Sequence, residues 1–364
     1  MKKLLLLLFT VITLSGNAQY ITNFAKNVNN KETDGYYYHL PRNIIRLDFT
    51  VEKTQDVKGK YSSFAKELLN TDNYIKENKT TFEIKDVRVS TLTEADPNMV
   101  FFISTVVDEK SKETVNINLE LTSKGNIQSF GIKPQRDCDD EDRVEYRANI
   151  LPYVEQVADF YYIPTTDEDD EDEDAKSSKL TDEEIAQSII EEIKKLRVAY
   201  FDLITGYQEV NYGNTMNYMV DRIKELENQY LAMFLGKTSS QTYTQTFYVT
   251  PEDAKNIITV GKFSDTEGFN NKTGESIKIN FTDLSASSHI NKLSKDDIES
   301  VTYNNKLFYR NSANVTMQIL LGEKKLSESR LSISQFGNVS LIPINKMKLI
   351  FDANSGQIMS ISNE

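Results

Sequence analysis

Ile45, Leu47, Phe49 and Val51 alternate with Arg46, Asp48, Thr50 and Glu52, and a period of two places the four apolar side chains on one face of a β-strand. Strands are also predicted over "TTFEIKDVRVSTL", "NMVFFISTVVD" and "ETVNINLELTSKGNIQSFGI", with Lys124-Gly125 supplying the positive-φ residue of a hairpin turn. Between them, Phe64, Ala65, Leu68 and Leu69 of "YSSFAKELL" fall at helical spacing and predict a short helix.

The period changes at residue 181. Thr181 and Glu184 form a capping box ahead of Ile185, Ile189, Ile193, Leu196, Tyr200 and Leu203, and Gly206 stands where a left-handed C-terminal residue belongs. Met219, Ile223, Leu226, Tyr230 and Met233 outline a second helix ending at Gly236. Two such helices with a short connection predict an αα-hairpin whose apolar stripes face each other or a sheet. Beyond Thr242 the β pattern returns in "TYTQTFYVTP", "NIITVGKFS", "ESIKINFTDL", "SANVTMQILL", "ESRLSISQFGNVSLIP" and "MKLIFDANSGQIMSIS". Gly125-Asn126-Ile127, Gly337-Asn338-Val339 and Gly356-Gln357-Ile358 share one spacing, which ordinary hairpin turns explain without an internal repeat.

The chain has 364 residues, more than one hydrophobic core usually serves. The expected fold is α+β: two mainly antiparallel β domains, 19–163 and 237–364, with a central αα-hairpin at 181–236. An acidic flexible linker is expected at 164–180. Residues 1–18, with Lys2 and Lys3 ahead of an apolar stretch from Leu4 to Leu14 and small residues at Gly16 and Ala18, read as a signal peptide cleaved before Gln19. The stretch is too short to span a bilayer. The mature chain is therefore expected to be exported and periplasmic, with no transmembrane segment. Its single cysteine, Cys138, is remote from the cleavage site, so no lipid anchor is expected.

Net charge is −13, but its placement matters more than its size. Asp137, Asp139, Asp140, Glu141 and Asp142 form one acidic patch, and Asp167 to Asp174 is an unbroken run of acids. Such a run repels itself and buries nothing, hence the linker. It lacks the spaced ligands and mid-loop glycine of an EF-hand. No basic cluster appears that could replace phosphate counterions, so no nucleic-acid partner is expected.

Reactive groups are few. His39, His289 and Cys138 are scattered, which argues against a zinc site; no metal and no cofactor are expected. No nucleophile elbow, Walker loop or dinucleotide-binding glycine run occurs. The acids around Cys138 disfavour its thiolate. A pair of carboxylates acting on glycan, peptidoglycan or peptide remains formally open, because their separation in space is not written in sequence.

"DGYYYHLPRNIIRLDF" carries the densest set of binding-type side chains. One reading makes Tyr36 or Tyr38 a stacking surface beside Arg42; the other makes the tyrosines strand residues, with Pro41 setting an extended entry to the run that follows. If the two β regions approach each other, Tyr309 and Arg310 could join Tyr36, Tyr38 and Arg42 in one ligand- or partner-binding site.

"YYYHLPRN", "KGKYSSFAKELL", "ADPNMVFF", "LRVAYFDLITG", "YLAMFLGKT", "VTPED", "KFSDTEGF", "LFYRNSANV" and "SQFGNVSLIP" occur in this order. In that order the chain resembles a family of exported Bacteroidota proteins known as domain of unknown function 4831. The resemblance implies a cell-envelope protein, β-rich with a central helical pair, and brings no activity with it. The expected function is thus a non-enzymatic binding or scaffold module whose partner is an envelope protein or cell-wall component. A carboxylate-dependent hydrolase or binder of glycan, peptidoglycan or peptide is the alternative.

Overall fold

A computed structural model describes residues 20–28, 35–105, 117–132, 180–206, 215–252, 257–284 and 293–363. The expected signal peptide, Cys138, His289, both acidic patches and the 164–179 part of the linker lie outside them. In chain order the elements begin with β1 (Tyr20–Phe24), β2 (Gly35–Val57), α1 (Ala65–Leu69), β3 (Lys79–Thr105), β4 (Leu119–Leu121) and β5 (Ile127–Phe130). The helices α2 (Asp182–Thr205) and α3 (Met216–Leu235) follow, then β6 (Lys237–Val249), β7 (Ile258–Ser264), β8 (Gly268–Asn270) and β9 (Glu275–Asp283). The chain closes with α4 (Lys295–Ser300), β10 (Tyr303–Asn304), β11 (Lys306–Leu321), β12 (Lys324–Pro343), β13 (Met347–Phe351) and β14 (Ile358–Asn363). The described residues are thus mostly β, in antiparallel sheets, with few helices.

Among the described residues three sheets form, ordered β10-β1-β3-β2-β6, β12-β11-β9-β7-β8 and β14-β13-β5-β4. Two of them mix strands from before and after the helices: β6 lies along β2, β10 along β1 and β13 along β5. The described parts of 19–163 and 237–364 therefore do not form separate sheets, and α2 with α3 does not divide one core from another. Alternation tells a strand which face to bury and is silent about which strand it will lie beside.

The long pair β2–β3 serves two cores. Ile45, Leu47, Phe49 and Val51 are buried with Ile277, Ile279, Val315, Met317 and Ile319 of the second sheet. Tyr38, Leu40, Phe101 and Ile103 are buried with Phe308, Leu349 and Phe351. The switch comes at a bulge, where the pairing passes from His39↔Val100 to Pro41↔Ala95. Residues 96–99 loop out there opposite Leu40 alone, and the inward-facing parity slips from even positions to odd ones. Pro41 and Pro97 have no N–H for a ladder, which suits them to this break.

A third core joins α2 and α3 to the β2–β3 connection through Tyr61, Ala65, Ile189, Ile193, Met233 and Phe234. Arg197 Nε meets Glu227 Oε1 at 2.6 Å across the two helices; residues 207–214 between them lie outside the described residues. The expected stripe turns inward, with Ile189, Ile193 and Leu203 buried and Ile185, Leu196 and Tyr200 half-buried. Gly236 ends α3 at φ 84° and ψ −179°, a conformation open to glycine alone, and a Cβ there would stand 2.5 Å from the Val57 carbonyl.

The capping box forms as the sequence predicts. The Thr181 N–H and hydroxyl donate to the Glu184 carboxylate at 2.7 and 2.9 Å, and the Glu184 N–H donates to Thr181 Oγ1 at 3.3 Å. The Thr181 N–H, then its hydroxyl, holds the Glu184 carboxyl below its ordinary pKa. A lowered carboxyl pKa stabilises the fold at pH above the ordinary glutamate range, and that contribution fades as pH falls through the lowered value. An NMR titration should place Glu184 below the exposed glutamates, and Thr181→Ala, which removes the hydroxyl and keeps the N–H, should raise its midpoint part of the way to their range; a midpoint unmoved by the substitution would remove the hydroxyl as a cause.

Gly125 and Gly356 are turn residues, at φ +87° and +71°. Gly337 is a correction to the shared-turn reading: it lies within β12, has no positive φ, and the hairpin with β11 turns at Gly322 instead. Its glycine is required by close approach, since a Cβ would fall 1.5 Å from the Asn311 carbonyl oxygen.

Candidate functional site

The bulge in β3 presents Asp96 to the interior, and Arg310 of β11 answers it. Arg310 is 4% exposed, and its Nη1 donates to Asp96 Oδ2 at 3.0 Å and to the Pro41 carbonyl at 2.7 Å. Burial draws the guanidinium pKa down, and the Asp96 charge opposes it. Two positions earlier, the Phe308 N–H donates to the Tyr38 hydroxyl at 3.1 Å. Tyr38 is fully buried, which pushes its phenol far above the usual range. Segments 38–41 and 308–310 are thereby pinned together.

A second pin starts from Asn43, 2% exposed. Its amide nitrogen donates to Thr93 Oγ1 at 3.1 Å and the Asn354 carbonyl at 3.0 Å, and its amide oxygen accepts from the Ser334 N–H at 2.6 Å. Its backbone exchanges two bonds with the Gln335 side chain, at 2.8 and 2.7 Å. Gln335 comes from the stretch of β12 where the register with β11 jumps, from Asn311↔Asn338 to Ala313↔Ile333. This network ties β2, β3 and β12 to the turn between β13 and β14.

That turn is itself bonded. The Asp352 carboxylate accepts from the Asn354 N–H and the Ser355 hydroxyl, each at 2.8 Å, and the Gly356 N–H closes onto the Asp352 carbonyl at 2.8 Å. Gly356 lies so close to Pro41 that a Cβ would sit 2.3 Å from its Cγ. Gln357 Nε2 donates to the Ser312 carbonyl at 3.3 Å. β14 consequently leaves the turn beside the first half of β11. An open groove of about 480 Å³ lies there, lined by Tyr309, Asn311 and residues 357–361.

The groove is apolar at its β14 wall. Met359 is 70% exposed and Ile361 55%, and among the described residues β14 is hydrogen-bonded to a strand on one side only, that of β13. Neither wall brings a charged side chain, and Tyr309, Asn311 and Gln357 supply the polar groups. A strand edge flanked by apolar side chains has the chemistry to take an extended segment by main-chain bonding.

Of the five residues singled out in the sequence, Tyr309 lines the groove, whereas Tyr38 and Arg310 are buried parts of its support. Tyr36 is exposed, and Arg42 forms an ion pair with Glu94 on β3; neither is in the groove lining. The two segments do come together, but through Tyr38 and Arg310 inside the protein. The neighbouring acids Asp96 and Glu94 are each engaged by a guanidinium. Sequence reasoning passed over Asp96, Asn43, Gln335, Met359 and Ile361. Pro97 was a legible sign of a ladder break; nothing local marked Asn43. Among the described residues no three His, Cys, Asp or Glu side chains are placed to hold a metal ion, and no helix is long and apolar enough to cross a membrane.

Fold and groove together define a mostly β protein of antiparallel sheets with few helices and an edge-strand groove. The chain belongs to the family described as Domain of unknown function (DUF4831), whose model matches residues 34–359. No curated protein and no solved structure matches it.

Proposed function

We propose that this is a non-enzymatic, exported binding protein of the Bacteroidota cell envelope, which takes an extended, uncharged segment of another envelope component into the groove between Tyr309 and β14. The carrying observation is the exposure of Met359 and Ile361 along a strand that, among the described residues, is bonded on one side only. An incoming strand would gain main-chain hydrogen bonds along β14 and bury those two side chains, with Tyr309 as an aromatic wall. Export rests on Lys2, Lys3 and the apolar stretch behind them, and α2 with α3 is read as the central αα-hairpin, none of whose residues lines the groove.

The test is a photo-crosslinking amino acid at position 359 in cells, with the captured peptide mapped by mass spectrometry. Capture of one extended apolar segment is expected, and Met359→Asp should weaken binding of that segment by more than about tenfold, by burying an unpaired charge. Binding of the captured segment unaffected by Met359→Asp, or no capture, would overturn the reading.

A further inference from the structure

The long edge of the first sheet carries an interaction surface distinct from the groove. β6 is 13 residues long and, among the described residues, is hydrogen-bonded to no strand but β2. From Thr238 to Val249 it contains no charged residue, no proline and no glycine. Proteins ordinarily guard such an edge with shortness, charge, proline or a bulge, and the other edges described here, the β14 edge at the groove apart, are guarded. β10, β8 and β4 have only two or three residues. β12 carries Lys324, Lys325, Glu328 and Arg330, breaks register at 334–337 and ends on Pro343.

The acids of β2 do not reach this edge either. Asp56, Glu52 and Asp48 accept from the hydroxyls of Thr238, Ser240 and Thr246, each at 2.6 Å. The outward row Thr238, Ser240, Thr242, Thr244 and Tyr248 is exposed, while Tyr243, Gln245, Phe247 and Val249 are half-buried toward the second sheet.

We propose that β6 is the interface of a homodimer, pairing antiparallel with β6 of a second copy about a two-fold axis near Tyr243. The sequence is compatible with itself in that register: Gln241 meets Gln245 of the second copy, Thr242 meets Thr244, and Ser239 meets Phe247. Inward residues stay with inward ones, no like charges oppose one another, and about a dozen main-chain hydrogen bonds become available. A closed two-fold uses up both edges and stops further addition.

Analytical ultracentrifugation of the mature chain should show a dimer at micromolar concentration. Thr242→Lys with Thr244→Lys sets four ammonium groups across the axis on an exposed face, and should weaken the dimer by more than about tenfold while leaving the circular dichroism spectrum unchanged. In the native chain, hydrogen exchange of residues 238–249 should slow as protein concentration rises. A native chain that stays monomeric, a lysine variant that dimerises like the native chain, or exchange at 238–249 independent of concentration would each overturn the proposal. Loss of partner capture at position 359 would not bear on it.

Discussion

Arg310→Ala should lower the free energy of unfolding by about 3–5 kcal/mol, the usual cost of stranding one member of a buried ion pair. Truncation leaves Asp96 only 7% exposed without its partner, and leaves the Pro41 carbonyl without the donor at 2.7 Å. Asp96→Ala should be comparably harmful, since it strands the guanidinium instead. Replacing both at once, Arg310→Met with Asp96→Leu, should recover much of the loss, because an apolar pair of similar volume avoids the desolvation both ions suffer. Urea denaturation measures all four proteins, with slopes expected to agree because similar surface is exposed. If Arg310→Ala costs under about 1 kcal/mol, as an exposed pair would, the guanidinium is solvated and the pin does not exist.

Arg310 was legible as a side chain of interest but not as a buried one. Its partner lies 214 positions away on a bulge, and only the folded register places Asp96 opposite it. Tyr38 shows the complementary difficulty. Projecting the odd-numbered apolar face of Ile45 to Val51 backwards puts Tyr36 and Tyr38 outside, beside Arg42. The bulge at Pro41 shifts the parity, so that Tyr38 and Leu40 point inward and Tyr38 stacks on Phe101 with ring centroids 5.6 Å apart. Features fixed within a few residues were readable in advance: the inward face of β2 beyond Asn43, the capping box at Thr181, and the turn at Gly125. Features fixed by partners far along the chain were not, and the groove belongs to this second kind: Tyr309 and Met359 meet because the 352–357 turn packs on Pro41 and Asn43.

The same logic gives Asn43→Ala a large effect for a small truncation, about 2–4 kcal/mol. The Ser334 N–H, on a fully buried residue, loses its acceptor, which alone costs about 1–3 kcal/mol. The space left by the amide adds a smaller cavity cost. The Asn354 carbonyl keeps the Thr93 hydroxyl at 2.6 Å and is not orphaned. Asn43→Asp should be worse than Ala, because a carboxylate still accepts from Ser334 but turns an oxygen toward the Asn354 carbonyl, where Asn43 had supplied a donor. Urea denaturation ranks the three proteins, and Asp milder than Ala would mean that water reaches the site. Because the network anchors the turn that starts β14, Asn43→Ala should also weaken segment binding in the groove while the protein is still folded. Met359→Asp should do the opposite, removing binding at almost no cost in stability, so the pair separates a residue that builds the groove from one that meets what enters it.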